Sequence, residues 1–337
     1  MHFFPIQRSD CKLGESGIDA AQQKTRLVSS PIAPYTEGSF MADKISQLEE
    51  KIKELEAELA DRDRDLTTFR TELTKANVQL EKFIGQVAQE LKIAGLIQKA
   101  LVPTEFPNIP GFEFSTKFVP SPVSGGDYFD IFEHEDKFRF GIVVANSSGY
   151  SMSALFLSVL LKMTGQLEAR KGTPPDQILG LMARELVPNI QNNDRANVFY
   201  AVIDRRGFEL SYSGAGQVIA ILYSYADNKL RRLDGLAAPF AKDFAGEFGV
   251  QTISLNPRDR VILCTEGVIK ALNDKGEAFG EERLYRSVLS APRLGVHELR
   301  NEILFQVEKF AGEKEIPQDL TVVVTEVKDR VIKLAKS

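Results

Sequence analysis

SGGDYFD at residues 124–130, VVANSSGY at 143–150, LCTEGVIKALN at 263–273 and PQDLTVVV at 317–324 are the four stretches on which the fold of this chain turns. Each joins a β-like run to a turn that carries glycine, an acid or an amide, and so places a potential oxygen ligand at the end of a strand. Taken singly they are ordinary turn chemistry, because glycine supplies positive φ and aspartate caps strands and loops. Four of them in order, with a leading helix and a closing DLTVVV strand, point to one site assembled from separate strand ends.

Around these motifs, FEFSTKFV (112–119), FRFGIVVA (138–145), NVFYAVID (197–204), FELSYSG (208–214), VIAILYS (218–224) and RVILCT (260–265) are short β-branched and aromatic runs bounded by turn residues. They predict strands. Apolar residues at helical spacing predict helices over 152–170, 175–189, 281–289 and 296–310. Hairpin-joined strands with segregated helices define an α+β layered domain rather than alternating βαβ units.

Upstream, residues 1–40 mix Gly, Ser, Pro and charge without a hydrophobic period, which predicts a disordered extension. Met41 opens a patterned segment and is a conceivable translation start. Ile45, Ile52, Leu59, Leu66, Leu73, Leu80 and Val87 occupy one seam of a heptad, and Leu48, Leu55, Arg62, Phe69, Ala76, Phe83 and Glu90 the other. A repeat of 3.5 residues held this long specifies a left-handed supercoil. Ile facing Leu in the first heptads favours two parallel strands, so a parallel homodimer is expected, with a single helix docked on its own domain as the alternative. The helix should continue past Ala94 through Leu101 and stop at Pro103. The expected organisation is an extension at 1–40, a coiled coil at 41–95, a globular domain at 96–330 and a tail at 331–337.

Composition narrows the function classes. The chain has 337 residues, 43% of them hydrophobic, with 42 Lys and Arg against 47 Asp and Glu and a net charge of -5. No basic block stands out, which disfavours nucleic-acid binding. Cys11 and Cys264 lie in unlike surroundings and form no disulfide framework, as suits a reducing compartment. No run is long and apolar enough to span a bilayer and no signal-peptide order is present, so a cytoplasmic location is expected. His2, His134 and His297 match no ligand spacing and are expected at the surface.

Taken together, the four motifs resemble those of SpoIIE-type phosphatases, the bacterial branch of the metal-dependent PPM-type serine/threonine phosphatases, whose strings are GGDxxD, DVSGHG, TDGV and DDxT. LIQKALVPTEFPNIPGFEF (96–114) is similar to that family's entry segment. The resemblance implies an α-β-β-α sandwich of two antiparallel sheets, with two Mn²⁺ or Mg²⁺ ions at one end and a metal-activated water that attacks a phosphoserine or phosphothreonine. Position by position it implies metal-ligand roles for Asp127 and Glu266, and for Asn146, Ser147 (through its carbonyl) and Gln318, with Asp319 as a possible substitute. Supporting roles fall to Asp130, Gly126, Gly149, Gln217 and Gly267. Three positions depart from the family: Asn146, Glu266 and Gln318 each stand where it carries aspartate. The histidines of its SGHG and AGH turns are Tyr150 and Gln217 here. Glycines and apolar positions that shape the fold persist, among them Gly125, Gly216, Phe279 and Gly280.

The departures bear directly on the cations, since four expected carboxylates become two. Each lost anion is worth on the order of 4 kcal/mol per unit of cation charge at about 4 Å and an effective dielectric near 20, before desolvation. Even about 3 kcal/mol would weaken binding roughly a hundredfold. An amide oxygen is also a poor bridge between two ions. The resemblance therefore implies a pseudophosphatase that binds a regulatory phosphoprotein, such as a STAS-type anti-sigma-factor antagonist. The alternatives are an active phosphatase with an altered or single-metal site, and a coiled-coil scaffold. The heptad makes a prediction of its own: residues 41–100 alone should be helical and dimeric, and Leu55→Glu with Leu59→Glu should give monomers. Sedimentation that finds the full-length chain monomeric would remove the coiled coil.

Overall fold

The computed structural model describes residues 37–101, 103, 105–121, 126–148, 159, 162–163, 168–191, 194–235, 237–290 and 295–328. The chain divides into two compact units after Val78, and a single helix, α1 (Glu37–Leu101), runs through that division. It begins before Met41 and ends ahead of Pro103, whose ring cannot continue a helix. Surface pairs such as Arg62 with Glu58 at 2.7 Å support it one turn apart. The heptad residues Ile45, Leu48, Ile52, Leu55, Leu59, Leu66, Phe69, Leu73, Leu80 and Phe83 are all exposed.

Among the described residues, ten strands form two antiparallel sheets of five. The first sheet has the order β1 (Phe112–Val119), β10 (Leu320–Val327), β9 (Arg260–Cys264), β6 (Ile219–Ser224) and β7 (Lys229–Arg232). The second has β2 (Asp127–Glu133), β3 (Arg139–Ser147), β4 (Ala196–Asp204), β5 (Glu209–Ala215) and β8 (Gln251–Ser254). Helix α2 (Pro175–Leu186) covers the second sheet; α3 (Glu266–Lys270), α4 (Gly280–Ser290) and α5 (Val296–Ala311) cover the first.

Side-chain alternation builds these layers. On β9, Val261 and Leu263 enter the core between the sheets while Ile262 and Cys264 face the helices. On β2, Phe129 and Ile131 point inward while Tyr128 and Phe132 pack with α2. Apolar side chains on both faces of a strand are what a four-layer sandwich requires. Strands β2, β7 and β8 go beyond the sequence expectation. Asp127, Asp130 and Glu133 lower the β propensity of β2, and burial of its alternating aromatics overrides them. The expected helix at 152–170 falls largely outside the described residues, as do Gly125, Gly149 and the segments 1–36 and 331–337.

One expectation needs correcting. His297 is exposed, but His134 is only 4% exposed, stacked on Phe132 and 3.1 Å from the Tyr200 hydroxyl. Strand β2 carries it off the surface into the layer between sheet and helix. Burial, aided by the Arg139 charge and opposed by Asp136, lowers its pKa to about 4. A histidine held neutral in the fold and protonated when unfolded stabilises fully above its ordinary value near 6.5, and that contribution is lost as pH falls toward about 4. Thermal melts of the native chain and His134→Gln at pH 7.5 and pH 5 should show a smaller acid-induced fall in the variant. Equal falls would remove the linkage.

Candidate functional site

Strand phase brings the motif residues to one end of the space between the sheets. Asp127 shares the inward phase of Phe129 and Ile131, and Asn146, its cross-strand partner, shares that of Ile142 and Val144. Asn197, opposite Asn146 on β4, is in phase with Phe199. From the other sheet come Thr265, just past β9, and Thr321 on β10. These polar side chains cap the apolar core formed by the rest of the same strands.

Asp127 is 5% exposed, and its Oδ2 accepts the hydroxyl hydrogens of Thr265 and Thr321, both at 2.6 Å. Thr265 Oγ1 also accepts the backbone N–H of Thr321 at 3.1 Å. The carboxylate of β2 is thereby tied to β10 and to the end of β9 in the opposite sheet. Burial first, and then the negative charge of Asp319, push the Asp127 carboxyl well above the usual carboxylate range, against the two hydroxyl bonds. Glu266 adds to the rise.

Asp319 does different work. Its Oδ1 accepts the backbone N–H of Ser121 at 2.7 Å, and its Oδ2 accepts those of Gly126 at 2.9 Å and Asp127 at 3.2 Å. From a position just ahead of β10, where strand alternation has not begun, the carboxylate thus pins the chain before the first motif, at Ser121, and within it, at Gly126 and Asp127. Gly267 packs directly on this turn: a Cβ there would stand 2.0 Å from the Asp319 carbonyl oxygen. Only glycine lets α3 approach so closely.

The remaining positions form amide contacts. Asn146 Oδ1 accepts the Asn197 side-chain amide at 3.2 Å, and Asn197 Oδ1 accepts the backbone N–H of Gln217 at 3.1 Å. Gly216, at φ +74°, clears this bond, since a Cβ would meet Asn197 Oδ1 at 2.0 Å. The Ser147 N–H donates to the Gly126 carbonyl at 3.1 Å. Glu266 opens α3 and pairs with Lys270 one turn on. Gln318 Oε1 is buried and has no hydrogen-bond partner among the described residues. Asp130 lies on the opposite face of β2 from Asp127, where the Tyr128 hydroxyl donates to it at 3.3 Å. Among the described residues, no group of three or more His, Cys, Asp or Glu side chains is gathered to hold a metal ion.

Thr265, Thr321 and Asn197 are the site residues that sequence reasoning passed over. Both threonines stand inside the motif strings, in CTEG and DLT, so a signal for them was present; Asn197 has none until β3 and β4 are paired.

Two facing antiparallel sheets with helices on both outer faces and a polar cluster at one end define the sandwich of PP2C-type phosphatases. Solved structures share it. The SiaA-PP2C domain of Pseudomonas aeruginosa superposes with a TM-score of 0.60 at 19% identity, over 73% of this chain and 97% of its own. The RsbU and RsbW domains of a Mycobacterium tuberculosis protein give 0.55 at 19% identity, over 67% and 63%. The phosphatase domain of SpoIIE from Bacillus subtilis, with a fragment of its regulatory domain, gives 0.55 at 14% identity, over 64% and 63%. The family model described as Stage II sporulation protein E (SpoIIE) matches residues 136–328, more than half of the sequence, and the chain belongs to this family. The phosphoserine phosphatase RsbP of Bacillus subtilis is 24% identical over 196 residues, 56% of this chain and 47% of the relative. The chain therefore spans about half the length of the curated relative it matches.

The close approach at Gly267 is directly testable. Gly267→Ala should destabilise by about 1–3 kcal/mol or more, because backbone rather than a flexible side chain must move. Gly180→Ala, within α2 and with open space at its Cβ, should gain about 0.5–1 kcal/mol. Urea unfolding of both variants measures the contrast, and equal stabilities would refute the packing argument.

Proposed function

We propose that this chain is a SpoIIE-family domain that keeps the phosphatase fold but not the two-metal centre, and acts by binding a regulatory phosphoprotein or its unphosphorylated form. A STAS-type anti-sigma-factor antagonist is the first partner to test. One observation carries the reading: Asn146, the residue paired with Asp127 across the strands, is a neutral amide whose oxygen already accepts from Asn197. The rest of the donor set supports it. Glu266 is paired with Lys270, Gln318 offers an uncharged oxygen, and both Asp319 oxygens hold backbone amides. Such a set does not fit a pair of hard dications, which want several ionised oxygens close together.

In this reading the domain runs over 96–330 behind a coiled coil at 41–95, whose exposed seam from Ile45 to Phe83 joins two parallel copies. A second reading keeps catalysis through one Mg²⁺ or Mn²⁺ held by Asp127 and Glu266, and the unpartnered Gln318 oxygen is the observation in its favour. Calorimetric titration of Mn²⁺ and turnover of p-nitrophenyl phosphate separate the two. The proposal expects neither saturable Mn²⁺ binding below millimolar concentration nor hydrolysis. Restoring Asn146→Asp, Glu266→Asp and Gln318→Asp together should tighten Mn²⁺ binding about a hundredfold or more. Hydrolysis by the native chain that Asp127→Ala abolishes would overturn the pseudophosphatase.

A further inference from the structure

The outer helix layer of the first sheet contains a crevice of about 440 Å³ between α4 and α5. Its floor is aromatic, with Phe279 and Phe310 meeting edge to face at 5.5 Å and 71°. Its walls carry positive charge. The Arg283 guanidinium lies over the Phe310 ring at 4.5 Å, and its Nη1 donates to the carbonyls of Ala278 and Phe279 at 3.0 and 2.9 Å. Two carbonyls and a ring thus fix the planar fork while other N–H groups remain to donate.

Arg286 and Lys309 complete the wall. Among the described residues no carboxylate forms an ion pair with Arg283 or Lys309. Among the described residues Arg286 pairs with Glu282, at 3.4 Å and largely in solvent, a contact worth little. In a chain of net charge -5, the lining of this crevice holds three cations and no acid. The volume falls within the roughly 300–1,000 Å³ of small-molecule sites.

We propose that this crevice binds a small amphiphilic anion, with a carboxylate, phosphate or sulfonate head on an aromatic or aliphatic body. The head would take the Arg283 fork and the charges of Arg286 and Lys309, and the body would cover Phe279 and Phe310. The site is separate from the polar end of the sandwich and does not depend on the reading of that end.

Fluorescence titration of the full-length chain with 8-anilinonaphthalene-1-sulfonate tests the assignment. One saturable site is expected, with affinity about tenfold weaker in Arg283→Gln and in the double variant Arg286→Gln, Lys309→Gln. The uncharged N-phenyl-1-naphthylamine should bind about tenfold more weakly than the sulfonate. Arg286 is exposed and Lys309 sits at the rim, so the double variant keeps its fold where Arg283→Gln could lose it. Unchanged affinity in that double variant, binding that never saturates, or equal affinity for the uncharged probe overturns the site.

Discussion

A carboxylate buried between two sheets must be hydrogen-bonded or neutralised, and Asp127 meets that demand by drawing hydroxyls from two strands of the facing sheet. This fixes where the polar end of the sandwich closes. Asp319 imposes a companion constraint, because its two oxygens take three backbone N–H groups around the first motif. Two acids share one buried region, and the charge of Asp319 adds to burial in raising the cost of ionising Asp127. Donors on every side let the fold keep them there. Gly267 is drawn into the same constraint, since any side chain would push α3 off the turn that Asp319 forms.

Beyond that end the sandwich is held by ordinary apolar packing. Phe129, Ile142, Phe199 and Leu263 meet between the sheets, while Ile262 and Val322 face α5, and Tyr128 and Val143 face α2. Strand edges carry charge where they meet water, as with Lys229 and Arg231 on β7, which discourages pairing with another chain. The long helix reverses this economy: its apolar seam is exposed, which is why a second copy of the chain is its natural cover in our reading.

In the proposed reading, the fold outlasts its metal ligands. Glycines that permit close backbone approach, and threonines that hold Asp127, serve packing whether or not a cation is bound. The amides Asn146 and Gln318 serve only local hydrogen bonding or none, and they occupy the strand ends where charge would matter most. On that proposal, binding surface and catalytic power part company, because the first depends on shape and the second on concentrated negative charge.

Much of this was legible in the sequence. Hydrophobic alternation located most of the strands, helical spacing located α2, α4 and α5 though not the short α3, and Pro103 marked the end of the long helix, because these signals are local and follow from side-chain period and backbone sterics. The order of the four motifs identified the family resemblance and put Asp127, Asn146, Glu266 and Gln318 into one list. Tertiary structure alone decided which of them meet. It put Asn146 across from Asp127 and turned Asp130 to the other face. It gave Asp319 to the backbone, raised Thr265, Thr321 and Asn197 to neighbours of the site, and buried His134. Each of those outcomes depends on the pairing and facing of strands far apart in the chain, and no local period encodes that.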